Sequence, residues 1–162
     1  MNGNEVTIEV ADPYSTEAQG CIAAYFRELQ ACFDEGFDPG QTVSATPEEL
    51  VPPAGCLLIA RRDGEAIGCG ALKIQAAEGY GEIKRMWVSP AARGLGVAQR
   101  LLDALETQAA AAGLDRIRLD THHSLSAARA LYAKNGYGEI EAYNTNPYAH
   151  HWYEKHLGQA QP

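Results

Sequence analysis

Two glycines and an arginine, in the stretch Arg93-Gly94-Leu95-Gly96, stand where a helix-like segment begins. The start of a helix presents unpaired N–H groups and the positive end of the peptide dipoles, which together favour phosphate binding. Glycine lets phosphate oxygens approach the backbone without meeting a Cβ atom. Four of the 13 Lys and Arg residues of this acidic chain lie nearby, namely Lys84, Arg85, Arg93 and Arg100. We therefore predict that this segment holds a phosphorylated anion such as a pyrophosphate.

Two other interpretations of the glycine turn remain open. Gly94-Leu95-Gly96 opens a helix and Asp120 ends the next strand, as in a dinucleotide-binding unit. Against that interpretation, Gln99 occupies the third glycine position and Ser89–Arg93 separates the strand from the first glycine. The other interpretation is a plain strand-to-helix turn with solvated arginines. A Walker-type phosphate loop is excluded, because no G-x-x-x-x-G-K-[ST] pattern occurs.

Hydrophobic periodicity predicts the elements that position this turn. Alternating or apolar runs predict strands at Val6–Val10, Cys56–Arg61, Ala66–Ile74, Tyr80–Val88, Arg116–Thr121, Tyr137–Tyr143 and Ala149–Leu157. Helices are predicted from Thr16 to Phe33, from Gly96 to Ala112 and from Ser126 to Asn135, with another start at Thr46-Pro47. Thr16 with Gln19, and separately Ser126, are predicted as helix caps. This order predicts an α+β (mixed α/β) fold with helices on both faces of a mixed sheet.

Length and composition predict one domain with a hydrophobic core. The chain has 162 residues, of which 46% are hydrophobic, and we expect a core over residues 6–157 and a loose tail over 158–162. The formal charge of −8 and the pI of about 5.0 make non-specific binding to nucleic acid or an anionic membrane unfavourable. We therefore expect neither partner.

Cysteine and histidine spacing predicts neither a disulfide framework nor a metal site. The four cysteines form no C-x-x-C pair, and no ligand spacing joins them to the histidines near the C-terminal end. The N-terminal stretch lacks a signal-peptide pattern, and no run approaches about 18 apolar residues. We expect a reducing cytoplasm with the cysteines as free thiols, and no metal.

Two motifs and the strand before the first one resemble a known family. Arg93-Gly94-Leu95-Gly96-Val97-Ala98 fits the [QR]-x-x-G-x-[GA] loop of the GNAT N-acetyltransferases, and Gly81–Pro90 resembles the strand that precedes that loop. The stretch "ALYAKNGY", Ala130–Tyr137, resembles the downstream LYxxxGF signature. The resemblance runs roughly from Leu57 to Leu157. It implies a mostly antiparallel central sheet, acetyl-CoA as co-substrate and acyltransferase activity.

The resemblance also implies which residues bind the coenzyme. The N–H groups from Gly94 to Gln99 would hold the pyrophosphate, beside Arg93. The edge of the preceding strand would hydrogen-bond the pantetheine arm, because in the family this strand diverges from its neighbour; its residues here are Met86, Trp87 and Val88. One departure is Leu125, which stands where many relatives have an asparagine that contacts this arm. Ser124 or Ser126 is the alternative for that contact.

Acetyl transfer to an amine needs an acid for the departing thiolate and a base for the amine. Tyr132 is the predicted acid, since a phenol stays protonated at pH 7 and the matching tyrosine of the family lies near the thioester sulfur. Glu82 is the predicted base, because several relatives carry a glutamate here that acts through water. Strand alternation predicts that Glu82 shares a face with Lys84, Met86 and Val88. Alternatively, Tyr132 is a packing residue and Glu82 is only paired with Lys84. His122 or His123 is the other candidate for the base.

The acceptor site is expected among the first helices and the loop Asp34–Thr46, by resemblance. Asp34, Glu35 and Asp38 would suit a cationic amine, and Trp152 with Tyr153 could line the acceptor pocket.

The sequence thus predicts a cytoplasmic N-acetyltransferase that moves an acetyl group from acetyl-CoA to a primary amine of a small molecule or peptide. Direct attack in a ternary complex is expected, since no cysteine lies in either motif. The alternatives are a non-catalytic acyl-CoA-binding module and a dinucleotide-dependent enzyme. Family members often dimerise, although no residue pattern in this chain indicates a homodimer.

Overall fold

A computed structural model describes residues 5–39 and 45–157 of the chain. Part of the predicted loop Asp34–Thr46 (residues 40–44) and the predicted tail lie outside the described residues. The seven strands are β1 Val6–Ala11, β2 Gly55–Arg62, β3 Glu65–Gln75, β4 Tyr80–Val88, β5 Arg116–Thr121, β6 Gly138–Ile140 and β7 His151–His156. The helices are α1 Thr16–Cys32, α2 Val97–Ala111 and α3 Ser126–Lys134, with 3-10 turns at Pro47–Leu50 and Pro90–Ala92.

The strands form one sheet in the order β1-β2-β3-β4-β5-β7-β6. Every pair of neighbours is antiparallel except β4 and β5, which are parallel and joined through α2. The predicted fold class, a mixed and mostly antiparallel sheet with helices on both faces, is confirmed.

Alternation along the strands divides the core into two layers. Leu58, Ala60, Leu72 and Ile83 pack with Leu101 and Leu105 of α2 on one face. On the other face, Leu57, Ile59, Cys69 and Ala71 pack with Ala18 and Cys21 of α1. The central strands are therefore apolar on both sides, because helices cover both faces of the sheet.

Helix caps and the last strands differ from the sequence-based prediction. Ser15, not Thr16, caps α1, and its hydroxyl accepts the Ala18 N–H at 3.1 Å. Gln19 instead donates to the Pro13 carbonyl at 2.8 Å. Ser126 is the first residue of α3, whose cap position is Leu125. The final strands are shorter than predicted, since only Gly138–Ile140 and His151–His156 pair. No helix within the described residues is both long and apolar enough to cross a membrane.

Candidate active site

The sheet divides where its two parallel strands separate. β4 and β5 pair only at Gly81 with Ile117 and Glu82 with Arg118, near their N-terminal ends. β4 then continues to Val88 without pairing to β5. The edge that bears Met86, Trp87 and Val88 therefore faces a gap in the sheet, as the resemblance implied for the strand that holds the pantetheine arm.

A bulge in β4 at this gap corrects the predicted alternation. Arg85 has φ +58°, and the register with β3 shifts between Cys69 and Ala71. Trp87 consequently packs with the α1 layer of the core, whereas Met86 and Val88 pack with the α2 layer. Glu82 therefore does not share a face with Met86 and Val88, because the extra residue at the bulge reverses the alternation after it.

A cavity of about 90 Å³ lies at the gap, between α1 and α3. Aromatic residues from α1 and the segment after it form one side, and residues from the ends of β4 and β5 form the middle. The lining includes Tyr25, Phe26, Phe33, Phe37, Lys84, Arg85, Asp120, His122, Leu125, Tyr132, Asn146 and Tyr148. Residues brought close by the fold thus come from five separate parts of the chain.

Tyr132 of α3 lies in this cavity. The residue is 5% exposed, and its ring lies 5.7 Å from the Tyr137 ring and 6.1 Å from the Tyr153 ring, between centroids. Burial, followed by the negative charge of Asp120, raises the pKa of Tyr132 above its usual value. The phenol therefore keeps its proton at neutral pH, as the predicted role of an acid requires.

Glu82 is buried beside the cavity and is held by three side chains. Its Oε2 accepts from Tyr143 Oη at 2.9 Å and lies 3.1 Å from Lys84 Nζ, and its Oε1 is 3.4 Å from Gln75 Nε2. Glu82 does not line the cavity in the part of the chain that the structure describes, whereas Lys84 does. The carboxylate thus reaches the cavity only through a neighbour.

His122 lines the cavity and is 2% exposed. Its ring stacks on Phe33 with 3.7 Å between centroids. Nδ1 accepts the Ser124 N–H at 3.1 Å, which places the ring proton of the neutral form on Nε2, 3.2 Å from a Glu35 carboxylate oxygen. His122 is therefore oriented from both sides, and both of its ring nitrogens have partners.

Within residues 5–39 and 45–157, one group of three histidines has the spacing of a possible metal site. Their ligand atoms, one each from His122, His123 and His150, lie within 4.8 Å of one another. One nitrogen of His150 already accepts the His123 N–H at 3.1 Å. The absence of a metal remains a prediction.

Asp120, at the C-terminal part of β5, is a cavity residue that the sequence did not single out for this chemistry. Asn144 Nδ2 donates to its Oδ2 at 2.6 Å, and Asn146 Nδ2 donates to its Oδ1 at 3.0 Å. Trp152 Nε1 donates in turn to Asn144 Oδ1 at 2.9 Å. The sequence signal for these contacts consists of two asparagines, Asn144 and Asn146, shortly after β6. This signal is too weak to have predicted the contacts.

Both glycines of the turn have a left-handed backbone. Gly94 and Gly96 have φ +88° and +74°, which favour glycine, and Gly96 caps α2 without any side-chain hydrogen bond. A Cβ atom added at either glycine would meet no heavy atom of the described residues within 4 Å. Open space therefore lies where a side chain would begin at these two glycines.

The four basic residues predicted to gather at the turn do not all do so. Lys84 and Arg85 line the cavity instead, and Arg100 Nη1 donates to the Val6 carbonyl at 2.8 Å. Arg93 remains at the turn, where it contacts Val88 and Glu28. The bulge at Arg85 and the pairing of Lys84 with Glu82 direct those two side chains away from the turn.

The predicted acceptor residues are only partly brought together. Glu35 reaches the cavity through His122, but Asp34 and Asp38 do not line it. Trp152 and Tyr153 do not line the cavity either. Tyr148 from the same segment does, and the bonds of Asn144 and Asn146 to Asp120 hold that segment against β5.

A sequence model of the Acetyltransferase (GNAT) family matches residues 22–137. Over 92 residues the chain is 44% identical to an IAA acetyltransferase of Azospirillum brasilense. This match covers 57% of this chain and 60% of that protein. Over 97 residues it is 35% identical to an uncharacterized N-acetyltransferase of Schizosaccharomyces pombe, covering 59% of this chain and 60% of that protein. The matches thus span about three fifths of the length of these curated relatives.

Solved structures show the same fold. A Klebsiella pneumoniae protein provisionally assigned as an acyl-CoA N-acyltransferase aligns with a TM-score of 0.77 at 33% identity, over 97% of this chain and 100% of that one. A Salmonella typhimurium protein provisionally assigned as an acetyltransferase, solved with its cofactor acetyl-CoA, aligns with a TM-score of 0.70 at 16% identity, over 98% of both chains. The chain belongs to the GNAT acetyltransferase family.

Proposed function

We propose that this protein transfers an acetyl group from acetyl-CoA to a primary amine by direct attack in a ternary complex. The observation that carries the proposal is the cavity at the gap between β4 and β5, which brings Tyr132 beside the unpaired edge of β4. The glycine turn follows the same strand, so one coenzyme could occupy both. The mostly antiparallel sheet gives no support to the dinucleotide alternative, since such units use a parallel sheet.

The residues present fit the coenzyme. The N–H groups from Gly94 to Gln99 would hold the pyrophosphate with Arg93, and the backbone from Met86 to Val88 would hold the pantetheine arm. When bound, acetyl-CoA supplies the acyl group as a thioester. Tyr132 holds a proton at Oη for the thiolate that leaves. No cysteine lines the cavity among the described residues, which favours transfer without an acetyl-enzyme.

The base that takes the proton of the amine is proposed to be Glu82. Its carboxylate is buried. The amine proton would reach it through an intervening water, or by Lys84 Nζ giving its own proton to Glu82 and taking up that of the amine. His122 is the second candidate, because it lines the cavity. To take the proton, its Nδ1 would first have to release the Ser124 N–H.

Two measurements test the proposal. Thermal stability should rise with CoA and not with NAD, since a ligand that binds only the folded state stabilises it. Release of free thiol from acetyl-CoA should then depend on an added amine. Stabilisation by CoA without thiol release from any amine of a broad panel would indicate a non-catalytic binding module. Accumulation of an acetylated cysteine without acceptor would contradict direct transfer.

A further inference from the structure

The cavity carries opposite charges on two neighbouring strands. Arg85 of β4 and Asp120 of β5 both line it at the level where the strands diverge. A molecule that spans the gap therefore meets a guanidinium on one side and a carboxylate on the other.

Arg85 is held in place by the fold. Its Nη2 donates to the Ala45 carbonyl at 2.6 Å, and its guanidinium lies 5.4 Å from the centre of the Phe26 ring. The left-handed backbone at Arg85 creates the bulge that aims this side chain, a conformation that arginine rarely adopts without a compensating role. The planar guanidinium matches the geometry of a carboxylate better than any other cationic side chain.

The carboxylate of Asp120 is held in place by two side-chain amides. The amides of Asn144 and Asn146 orient its two oxygens without neutralising its charge. Tyr25 and Tyr132 line the same cavity as Asp120, and the charge of this carboxylate contributes to the raised pKa of both phenols. An ammonium beside Asp120 would consequently lie near Tyr132, where the reacting amine is needed.

An aromatic cluster completes the cavity. The Phe37 ring lies 5.4 Å from that of Phe26, 5.8 Å from that of Phe33 and 5.0 Å from that of Tyr148, between centroids. These rings present apolar surface, which favours an apolar substituent on the acceptor.

We propose that the acceptor is a free α-amino acid with an apolar side chain, its carboxylate at Arg85, its ammonium at Asp120 and its side chain against the aromatic cluster. This inference rests on the proposed acetyltransferase activity. A peptide N-terminus lacks the carboxylate next to the amine, and a polyamine would place a second cation at Arg85. The charge pattern therefore favours a zwitterion over both.

The test compares three acceptors with the same apolar side chain: L-leucine; L-leucinamide, in which a neutral amide replaces the carboxylate; and isopentylamine, which lacks the carboxyl group. We expect wild-type kcat/KM to be at least about tenfold higher for L-leucine than for isopentylamine, the range of a charged hydrogen bond. Arg85→Gln should raise KM for L-leucine at least about tenfold and change KM for isopentylamine less than about threefold. For each acceptor, the KM of Arg85→Gln is divided by the KM of the wild type, so that differences in basicity between the amines cancel.

Two further variants complete the design. Asp120→Asn should lower kcat/KM for all three acceptors, because each carries the ammonium. Arg62→Gln removes an equal charge from β2 and should leave all three KM values unchanged. If Arg85→Gln lowers the melting temperature too far for kinetics, Arg85→Lys decides, since it keeps the charge and loses the fork-shaped donor; KM for L-leucine alone should still rise.

The outcomes separate the two proposals. Faster acetylation of isopentylamine and L-leucinamide than of L-leucine, or an equal effect of Arg85→Gln on all three, overturns the amino-acid inference and leaves the acetyltransferase intact. No thiol release from any amine, including these, overturns the proposed function itself.

Discussion

The guanidinium of Arg93 donates two hydrogen bonds to the backbone carbonyl of Val88, from Nε at 3.2 Å and from Nη2 at 3.1 Å. The same Nη2 forms an ion pair with Glu28 of α1. Arg93 thus ties the last residue of β4 to the first helix while half its side chain remains exposed beside the glycine turn. Arg93 therefore pairs with a carboxylate of the protein and also lies beside the position proposed for the pyrophosphate.

Replacing Glu28 with Gln should strengthen CoA binding. Without the carboxylate, the charge of Arg93 is no longer offset, and exposed pairs of this kind contribute up to about 1 kcal/mol. We expect the Kd for CoA, measured by calorimetry, to fall by up to about fivefold at low salt and less at high salt. Glu48→Gln, the same charge change at an exposed residue of the turn Pro47–Leu50, is the control. An unchanged Kd in both Glu28→Gln and Arg93→Gln would show that Arg93 does not contact the phosphates.

Gly96→Ala should impair coenzyme binding more than stability. The left-handed φ at Gly96 costs a residue with a Cβ roughly 1–2 kcal/mol, and the methyl group would occupy the space beside the proposed pyrophosphate. We expect the Kd for CoA to rise at least about tenfold.

Gly113→Ala is the matched control, because Gly113 has φ +82° and equally open surroundings at the other end of α2. Both variants should lower the free energy of unfolding similarly, and only Gly96→Ala should weaken CoA binding. Equal Kd values for the two would count against the phosphate turn.

Tyr132→Phe should lower kcat on the order of 100-fold and leave the Kd for acetyl-CoA nearly unchanged. Tyr25→Phe removes a second phenol that lines the same cavity and should lower kcat less than tenfold. Thiol release and calorimetry measure the two quantities. Parallel losses of kcat and affinity in Tyr132→Phe would identify it as a packing residue.

Glu82→Gln should lower kcat on the order of 100-fold, whereas His122→Gln should lower it less than tenfold. Gln keeps the volume of Glu82 and a hydrogen-bond partner for Tyr143, so folding is largely preserved. Circular dichroism checks the fold and steady-state kinetics the rates. The reverse order of effects would assign the base to His122.

Stability should fall as the pH rises above about 9, in part because of Cys56. Burial raises the pKa of this thiol to about 11, against about 8.5–9 in the unfolded chain. The unfolded state therefore loses its proton first, and the stability present below pH 9 is lost progressively up to about pH 11, by at most about 3 kcal/mol.

Urea unfolding at several pH values tests this. Cys56→Ala should flatten the decline between pH 9 and 11, whereas Cys32→Ala, at an exposed cysteine, should not. Buried tyrosines with raised pKa, such as Tyr137, add to the decline in every variant. Identical slopes for wild type and Cys56→Ala would contradict the assignment.

Much of the fold was predictable because its signals are local. The bounds of β5 follow from alternation and those of β4 from the residues that flank it, and Gly113 ends α2 as expected. The glycine turn and Tyr132 were predictable too, since each lies in a short motif. The cap of α1 was predicted one residue too late, because Thr16 and Gln19 have the spacing of a capping box, whereas Ala18 stands three residues after Ser15.

The cavity was not predictable to the same degree. An arginine with positive φ runs against local preference, so the bulge at Arg85 and the reversed alternation of Met86 and Val88 had no sequence signal. Asp120 meets Asn144 and Asn146 across 24 and 26 residues, and Phe33 meets His122 across the sheet gap. Such contacts depend on where two strands diverge.

By itself, the sequence determined the elements, the glycine turn and the two motifs, because backbone preferences and hydrophobic periodicity act between residues close in the chain. The tertiary structure decided which charges share the cavity, which acid lies outside it and which aromatic rings enclose it. The physical reason is that side-chain packing and burial are set by segments distant in sequence, which meet only when the sheet has formed.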